Sequence, residues 1–303
     1  MVRELSPELA KIAKEELNED PRQVASDIEH LKVWISKQPH LKARTDDQWL
    51  LAILRGCKFS LERAKNKIDL YYTLRTTAPD ITLKNKPSEQ KFIDFLKLGS
   101  CVILPKAKDE LSPRVIIIRG SVYDPAVYSV TDVICTLYYL VQIMVLEDDV
   151  ATVVGTKIIV DYEGVGMAHI TQLSPTVLKK IVKVIQDSIP LRLKGSHHIN
   201  FPSALEMVSK LLNEKTRKRF KVHKSYDELL EHFPKEIIPV EYGGDGGTIA
   251  DICECWAKKM VEYKAWMQVE ETLGTDESKR PGKPKTSDQM FGVEGSFKKL
   301  EID

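Results

Sequence analysis

Short β-branched runs alternate with long helical patterns through the middle of the chain, and this order constrains the fold more than any other feature of the sequence. The runs are bounded by Pro and Gly, as strands commonly are. They cover residues 101–104, 115–118, 157–162, 196–200 and 220–223. Parallel strands need long crossover connections, which are usually helices, and helical patterns lie at residues 130–149 and after Ser174-Pro175. The order therefore predicts an α/β fold with an open, mainly parallel sheet flanked by helices.

Residues 1–80 have no such strand pattern. Their apolar side chains recur at helical spacing, for example at Ala64, Ile68, Tyr71 and Tyr72. We therefore predict an N-terminal helical bundle over residues 1–80. An α/β domain with a C-terminal helix is expected over residues 81–273, and an extended tail rich in Lys, Pro, Gly and Ser over residues 274–303.

The composition argues against several classes of protein. A formal net charge of +1 over 303 residues argues against a nucleic-acid partner, because duplex-binding domains are usually strongly basic. The five cysteines are odd in number and lie mostly in apolar contexts, which indicates reduced thiols. The charged N-terminal stretch lacks the apolar core of a signal peptide, and the longest apolar run, residues 133–146, is too short to span a bilayer. We predict a soluble, cytoplasmic protein.

Residues 186–223 combine an amphipathic helix with two groups of cations. Arg192 and Lys194 precede the strand-like segment 196–200, and Pro202 then opens a helix predicted over residues 203–212. One face of this helix is apolar, with Ala204, Leu205, Val208, Leu211 and Leu212. A second group of cations follows at Lys215, Arg217, Lys218 and Arg219. This arrangement favours a movable lid that meets an anionic surface.

Several motifs occur in the order typical of one family. Asp46 and Asp47 precede LLAILRGCKFSLERAKNKIDLYYTLR, and GTKIIVDYEGVG, SIPLRLKGSHHINFP and PVEYGG follow in turn. Over about residues 20–270 the chain resembles the CRAL-TRIO lipid-transfer family, in particular its alpha-tocopherol transfer protein-like branch. The resemblance implies a bowl-shaped α/β domain that encloses one hydrophobic molecule under a hinged helix. The segment from Pro202 to Lys215 is about one helical turn shorter than in that branch.

The resemblance also implies a basic cleft beside the lid that binds a phosphoinositide head group such as phosphatidylinositol bisphosphate. Matched motif by motif, the cationic positions of that cleft are Arg55, Arg192, Lys194, Lys215 and Arg219. Clustered Lys and Arg suit a polyphosphate, since each contributes about 1 kcal/mol near an anionic membrane surface.

The predicted wall of the hydrophobic pocket consists of Tyr138, Gln142, Val160, Ile181, Val184, Ile185, Ile189, Leu191, Leu205, Val208 and Leu211. Apolar residues at helical spacing are equally typical of ordinary core packing. Contact with a ligand and packing in the core therefore both remain possible for the apolar face of the predicted lid helix and for the other apolar residues of this wall. Tyr138 and Gln142 lie one turn apart on an apolar helix, where they bond either to a ligand or to each other and the backbone. The expected ligand is tocopherol-, retinoid- or phospholipid-like.

The enzyme motifs are incomplete. The run Gly164–His169 nearly matches a dinucleotide fingerprint, but His169 stands where the third glycine belongs. Adjacent His197 and His198 point to opposite faces of a strand and cannot chelate together. Asp161 has no second carboxylate or base placed to work with it. We predict no catalytic residues, no cofactor and no metal, although an NAD-dependent enzyme stays a third hypothesis.

The sequence therefore predicts a carrier that binds one hydrophobic small molecule or lipid in a lidded cavity. It would transfer this molecule at phosphoinositide-containing membranes, with which it associates transiently. The alternative is an exchanger or sensor in which a phosphoinositide or another phospholipid is itself the cargo.

Overall fold

The computed structural model describes residues 2–82, 86, 89–109, 111–205 and 212–292. Its N-terminal part is mainly helical, with a two-residue strand, β1 (Leu41–Lys42). The helices here are α1 (Pro7–Leu17), α2 (Val24–Ser36), α3 (Asp47–Gly56), α4 (Leu61–Thr77), α5 (Pro79–Thr82) and α6 (Gln90–Lys97). Helix α1 shows why such segments are helical: Ser6 accepts a hydrogen bond from the Leu9 N–H at the first turn, and Pro7 occupies the first helical position.

A five-stranded sheet forms the centre of the molecule. Its strands are β2 (Cys101–Ile103), β3 (Arg114–Arg119), β4 (Thr156–Asp161), β5 (Leu193–Ile199) and β6 (Phe220–His223), and they lie side by side in that order. The pairs β3–β4, β4–β5 and β5–β6 are parallel, whereas β2 pairs with β3 in the antiparallel direction. The predicted α/β fold with an open, mainly parallel sheet is confirmed.

The two faces of the sheet pack against different helices, because successive strand residues point to opposite sides. On β4, Ile158 joins the core cluster that contains α7 (Val130–Glu147), whereas Ile159 joins a second cluster on the other face. That second cluster includes residues from the helices Tyr226–Leu230 and Ile249–Glu262. Helix α7 and the helix α10 (Pro175–Lys183) cover the first face, on which the candidate site lies.

Helix α7 is buried almost all round, as its sequence predicts. It begins with a capping box, in which the Asp132 carboxylate accepts a hydrogen bond from the Ser129 N–H at 2.7 Å. By length and composition α7 could cross a membrane, but 78% of it is buried inside the protein. It is therefore the central core helix of this fold.

Shorter elements complete the chain. They are α8 (Asp149–Val153), α9 (Met167–Ile170), a π-helical turn (Val184–Ser188), 3-10 turns at Ser203–Leu205, Lys235–Ile237, Val240–Tyr242 and Glu277–Lys279, α11 (Glu214–Arg217), α12 (Tyr226–Leu230), α13 (Ile249–Glu262), α14 (Lys264–Glu270), β7 (Gly274–Thr275) and α15 (Ser287–Phe291). The last long helix, predicted over 249–273, is interrupted at Tyr263, where α13 ends and α14 begins. Strand β7 pairs antiparallel with β1, so the C-terminal segment returns to the N-terminal helices.

The predicted lid helix falls only partly within the described residues. Its first residues, Ser203–Leu205, form a 3-10 turn rather than the start of an α-helix. Residues 206–211, which include Val208 and Leu211, lie outside the described part of the chain.

A candidate ligand cavity beside a basic cluster

An apolar cavity of about 210 Å³ lies between the sheet and the helices α7 and α10. Alternate residues of β4, Ile158 and Val160, form its floor, and Ser196 and His198 continue the floor on β5. The walls come from both helices and from the segment after β5. They include Val133, Ile134, Leu178, Ile181, Ile185, Leu205, Leu212 and Phe220. The cavity is therefore an apolar compartment whose shape is set by strand alternation and by two helical faces.

Three polar side chains on the cavity wall form a hydrogen-bonded row. The imidazole of His198 lies 2.7 Å from the Ser196 Oγ through Nε2 and 3.2 Å from the Tyr162 hydroxyl through Nδ1. The ring of Phe220 stacks on His198 with the centroids 3.8 Å apart. Burial, with the nearby charges of His197 and His223, lowers the pKa of His198 to about 3. The imidazole is therefore neutral at physiological pH.

Ser196, His198 and Tyr162 carry one more donor hydrogen than their two mutual hydrogen bonds use. A neutral imidazole carries one N–H, and each hydroxyl carries one O–H. If Nε2 of His198 is protonated, it donates to Ser196 while Tyr162 donates to Nδ1, and the Ser196 hydrogen is left over. With the other tautomer the Tyr162 hydrogen is left over. Within the described residues, one hydroxyl hydrogen therefore remains available to a guest in the cavity.

The structure places four of the predicted pocket residues on this cavity: Val160, Ile181, Ile185 and Leu205. Ile189 and Leu191 line a smaller neighbouring cavity of about 30 Å³, which shares Ile185 with the first. The other two predicted pocket residues of the lid helix, Val208 and Leu211, lie outside the described residues.

Three predicted pocket residues lie elsewhere, and we correct their assignment. Tyr138 stacks on Tyr71 and receives a hydrogen bond of 3.4 Å from the buried guanidinium of Arg75. Gln142 donates to the Tyr138 backbone carbonyl at 3.4 Å, and Val184 is fully buried in the core. Gln142 therefore bonds to the backbone of Tyr138, which is one of the alternatives that the sequence left open, while its buried Oε1 has no hydrogen-bond partner among the described residues.

The cationic pair before β5 shares one carboxylate. The Arg192 guanidinium and the Lys194 ammonium both donate to Oε2 of Glu16, the latter at 3.2 Å. Hydrogen bonds from both cations, with burial opposing them, lower the pKa of Glu16. Arg219 donates to the backbone carbonyl of Leu193, which also lines the cavity. These side chains are held close together by α1, β5 and the start of β6.

Lys215 shows that further cations gather at this place. Burial, followed by the positive charges of Arg219, Lys58, Arg192 and Arg63, lowers the pKa of its ammonium. These four cations are close enough to act on the charge of Lys215. We call this group the basic cluster, and it consists of Lys58, Arg63, Arg192, Lys194, Lys215 and Arg219.

Arg55 is not part of the basic cluster, which corrects the prediction. Its side chain is fully buried and donates to both carboxylate oxygens of Glu19, at 2.9 and 3.0 Å. It also donates to Asp149 at 2.9 Å and to Thr152 at 3.3 Å. Four of its five N–H donors are engaged and the side chain is fully buried, so a head group cannot reach it, and its role is to join α3 to α8 and to the segment after α1.

Lys58 and Arg63 are the cluster members that the sequence analysis missed. Lys58 is exposed just after α3, where its backbone has a positive φ of 54°. Arg63 is exposed near the start of α4 and donates to the Cys57 carbonyl at 2.6 Å. Lys58 lies two residues after Gly56, and Arg63 lies in the first turn of the next helix. A positively charged segment after the buried arginine is the signal that could have indicated them.

Asp161, the isolated acid-base candidate, has a structural role. Its carboxylate accepts hydrogen bonds from the hydroxyls of Tyr242 and Tyr226, at 2.8 and 3.0 Å, and from the Asn200 amide at 3.1 Å. The backbone N–H of Glu163 adds a fourth bond at 2.9 Å. A carboxylate so fully engaged fixes the carboxyl ends of β4 and β5 and leaves no oxygen for proton transfer.

Comparison with known proteins gives concordant results. A family model described as "CRAL/TRIO domain" matches residues 98–244, and one described as "Pinta-like, UBA domain" matches residues 20–92. The human protein named alpha-tocopherol transfer protein-like is 31% identical over 251 residues, which are 81% of this chain and 72% of that protein. Human clavesin-2 is 27% identical over 271 residues, 86% of this chain and 80% of clavesin-2. The crystal structure of Sfh5 superimposes with a TM-score of 0.49 at 14% identity, covering 86% of this chain and 100% of that one.

The two family models follow one another along the chain, first over the N-terminal helices and then over the sheet that carries the cavity. A relative above 30% identity spans most of both regions. The motifs of the sequence predicted the same relationship, and the chain is accordingly a member of the CRAL-TRIO family.

Proposed function

We propose that this protein is an intracellular carrier for one largely apolar molecule that has a hydrogen-bond-accepting oxygen. The observation that carries the proposal is the apolar cavity with a spare hydrogen-bond donor in the row of Tyr162, His198 and Ser196. A buried donor without a partner is unfavourable by about 1–3 kcal/mol, so a guest with one well-placed oxygen is favoured over a pure hydrocarbon. Membership of the CRAL-TRIO family favours binding and transfer of a lipid in the same way.

The name of one relative agrees with this chemistry. The human alpha-tocopherol transfer protein-like chain is named for tocopherol, which consists of a long hydrocarbon chain, a ring system and one hydroxyl group. A retinoid likewise has a hydrocarbon body and one terminal oxygen function. Both classes match a largely apolar cavity that offers a donor in the row of Tyr162, His198 and Ser196.

Release of the guest at a membrane is the second part of the proposal. The basic cluster adjoins the cavity, because Leu193, Leu212 and Thr216 line the cavity while Arg192, Lys194 and Lys215 follow or precede them in the chain. An anionic lipid head group would replace Glu16 as the partner of Arg192 and Lys194. Lys and Arg contribute about 1 kcal/mol each near an anionic surface. In this mechanism the segment 203–212 moves as a lid when the cluster binds a phosphoinositide.

The position of the basic cluster beside the cavity also supports the second candidate function, the exchange or sensing of a phospholipid. A phospholipid could insert an acyl chain between Ile181 and Ile185 while its phosphate contacts Lys215 and Arg219. In that case the membrane lipid is the cargo, and the basic cluster recognises the cargo itself.

The composition of a lipid extract from the purified protein tests the cavity and separates the two candidates. We expect about one molecule of a largely apolar, oxygen-containing compound per chain. The variant Ile185→Trp should lose it, because the larger side chain fills the cavity. Val261→Trp, at a position that is 63% exposed on α13, is the matched control and should retain it.

The outcomes of this extraction are distinct. A phospholipid in place of a small apolar compound would establish the second candidate. An extract without any stoichiometric lipid, or with equal amounts from the wild type and Ile185→Trp, would refute the carrier function of this cavity.

A further inference from the structure

Three histidines meet on the face of the sheet opposite the cavity. His197 lies on β5, His223 ends the edge strand β6, and His232 follows the helix Tyr226–Leu230. Each offers a ring nitrogen, and these three nitrogens all lie within 4.8 Å of one another. His197 and His223 are buried, whereas His232 is accessible to solvent. The fold thus brings His223 and His232, which are 26 and 35 positions after His197 in the chain, to the same place.

We propose that His197, His223 and His232 form a binding site for a divalent transition-metal ion, with zinc as the best match. Imidazole nitrogens are preferred ligands of Zn²⁺, and three histidines with one open position are a common set. Solvent at the His232 side would supply the fourth ligand. The proposed site is separate from the ligand cavity and does not depend on what the cavity holds.

The distances suit such an ion. The Nδ1 atom of His197 lies 3.0 Å from the Nε2 atom of His223, and the two rings are almost coplanar at an interplanar angle of 2°. These nitrogens therefore share one proton, and both lone-pair directions point into the space between the rings. Two nitrogens on a tetrahedral zinc lie about 3.4 Å apart at Zn–N lengths of about 2.0–2.1 Å. Zinc binding would require the two nitrogens to separate by a few tenths of an ångström and the rings to rotate, so that both lone pairs point to one position beside the line between them. The hydrogen on the bridging nitrogen would move to the other nitrogen of its ring.

The charges around the cluster set limits on the affinity. Lys157 donates to the His232 carbonyl at 3.1 Å, so its ammonium, like that of Lys221, opposes a bound cation. On the other side, Oε1 of Glu228 lies 3.6 Å from Nδ1 of His223. At this distance the carboxylate makes no hydrogen bond with Nδ1, but its negative charge favours a bound cation. The negative charge of Glu231 also acts on His232.

A metal at this point would fix the edge of the sheet. It would join β5, the end of β6 and the segment after the helix Tyr226–Leu230, where the ring of Phe233 packs against His197. Phe220, at the other end of β6, lines the ligand cavity. Zinc binding would therefore stiffen the edge strand that bounds the cavity.

Calorimetric titration of the chelator-treated full chain with ZnCl₂ tests the proposal. We expect one Zn²⁺ per chain for the wild type. Loss of an outer-shell partner alone costs about 10–100-fold in affinity, so His232→Ala and His223→Gln should each weaken binding at least about tenfold. His232 reaches the surface, so its replacement leaves the core intact. The control His30→Ala removes an exposed imidazole from α2 and should bind like the wild type.

Cobalt gives a second readout that reports on geometry. Co²⁺ in a four-coordinate nitrogen site absorbs strongly in the visible range, and this band should appear with the wild type and with His30→Ala but not with His232→Ala. The proposal is overturned if the wild type binds no stoichiometric Zn²⁺, or if His232→Ala and His223→Gln bind Zn²⁺ as tightly as the wild type.

Discussion

The guanidinium of Arg55 joins three helices that are distant in the sequence. It pairs with Glu19 after α1 and with Asp149 at the start of α8, and it is fully buried. Removing one partner of a buried ion pair leaves an uncompensated charge, which typically costs about 3–5 kcal/mol. We therefore expect Arg55→Met to lower the free energy of unfolding by about that amount in a urea titration.

An exposed ion pair provides the control for this prediction. Arg22 pairs with Asp20 at 2.8 Å, but its side chain is 89% exposed. Arg22→Met should leave the unfolding midpoint unchanged. If Arg55→Met proved as stable as Arg22→Met, the structural role of Arg55 would be wrong, and its assignment to a head-group site would have to be reconsidered.

The hydroxyl groups on the cavity wall are expected to tune ligand affinity. Ser196→Ala or Tyr162→Phe removes one hydroxyl group and one hydrogen bond of the row. The hydrogen that is then spare lies on His198 or on the remaining hydroxyl, so its position relative to the ligand changes. One hydrogen bond contributes about 0.5–1.5 kcal/mol, so each change should weaken binding of the compound recovered from the protein about two- to tenfold.

Tyr123→Phe is the matched control for the hydroxyl variants. Tyr123 also lines the cavity, but its hydroxyl already contacts Oε1 of Gln172 at 3.1 Å. Its removal should therefore leave ligand affinity unchanged in the same fluorescence or calorimetric assay. Equal losses in Tyr123→Phe and Ser196→Ala would contradict the assignment of the spare donor.

Single residues were the least predictable part of this chain. Arg55 and Lys58 are both cations at the end of one helix, and only the positions of Glu19 and Asp149, far away in sequence, decide that one is buried and the other exposed. Likewise, the position of Tyr138 on an apolar helix does not predict its contact with Arg75. Pairing between distant elements is not visible in local spacing.

At the scale of elements, the segment from β7 to α15 acts as a strap across the N-terminal helices. Asp69 on α4 accepts hydrogen bonds from Arg280 at 2.8 Å and from Lys285 at 2.6 Å. Arg280 also pairs with Glu277. Phe291 is buried at the end of the strap. The strap is therefore held by a network of charges together with one apolar anchor.

This network makes the strap sensitive to acid. Burial alone would raise the pKa of Glu277, but hydrogen bonds from Arg280 and from the Lys285 N–H outweigh it and lower that pKa to about 2. A carboxyl group with a depressed pKa stabilises the fold above its unfolded pKa of about 4.3, and this stability is lost as the pH falls toward about 2.

Hydrogen exchange of residues 274–291 as a function of pH tests the strap. We expect faster exchange relative to the intrinsic rate below about pH 4, and Glu277→Gln should remove part of this dependence by weakening the strap already at neutral pH. Glu15→Gln, at an exposed position on α1, should behave like the wild type. A pH-independent protection of the strap would count against the charge network.

Elements were predicted better than residues because their signals are local. Strands β2 to β6 follow from β-branched runs between Pro and Gly, and each lies within a few residues of its expected place. The interruption at Tyr263 was missed, because no Pro or Gly marks it. The alternation along β5 correctly predicted that His197 and His198 face opposite sides, but it could not indicate that His223 and His232 would meet His197.

In the whole molecule, the basic cluster lies at the margin of the apolar cavity. The cluster draws Lys58 and Arg63 from the N-terminal helices and Lys215 and Arg219 from the α/β region. A head group bound there would contact both parts of the chain at once. Guest release and membrane contact would then be one event.

Transfer of the bound compound to vesicles tests this coupling most directly. Vesicles of phosphatidylcholine with a few per cent of phosphatidylinositol bisphosphate should accept the compound faster from the wild type than vesicles of phosphatidylcholine alone. The double variant Lys58→Glu/Lys215→Glu should lose this acceleration while it still binds the compound in solution, whereas the matched control Lys258→Glu/Lys264→Glu should keep it. Equal acceleration in both double variants, or none in the wild type, would contradict the central claim.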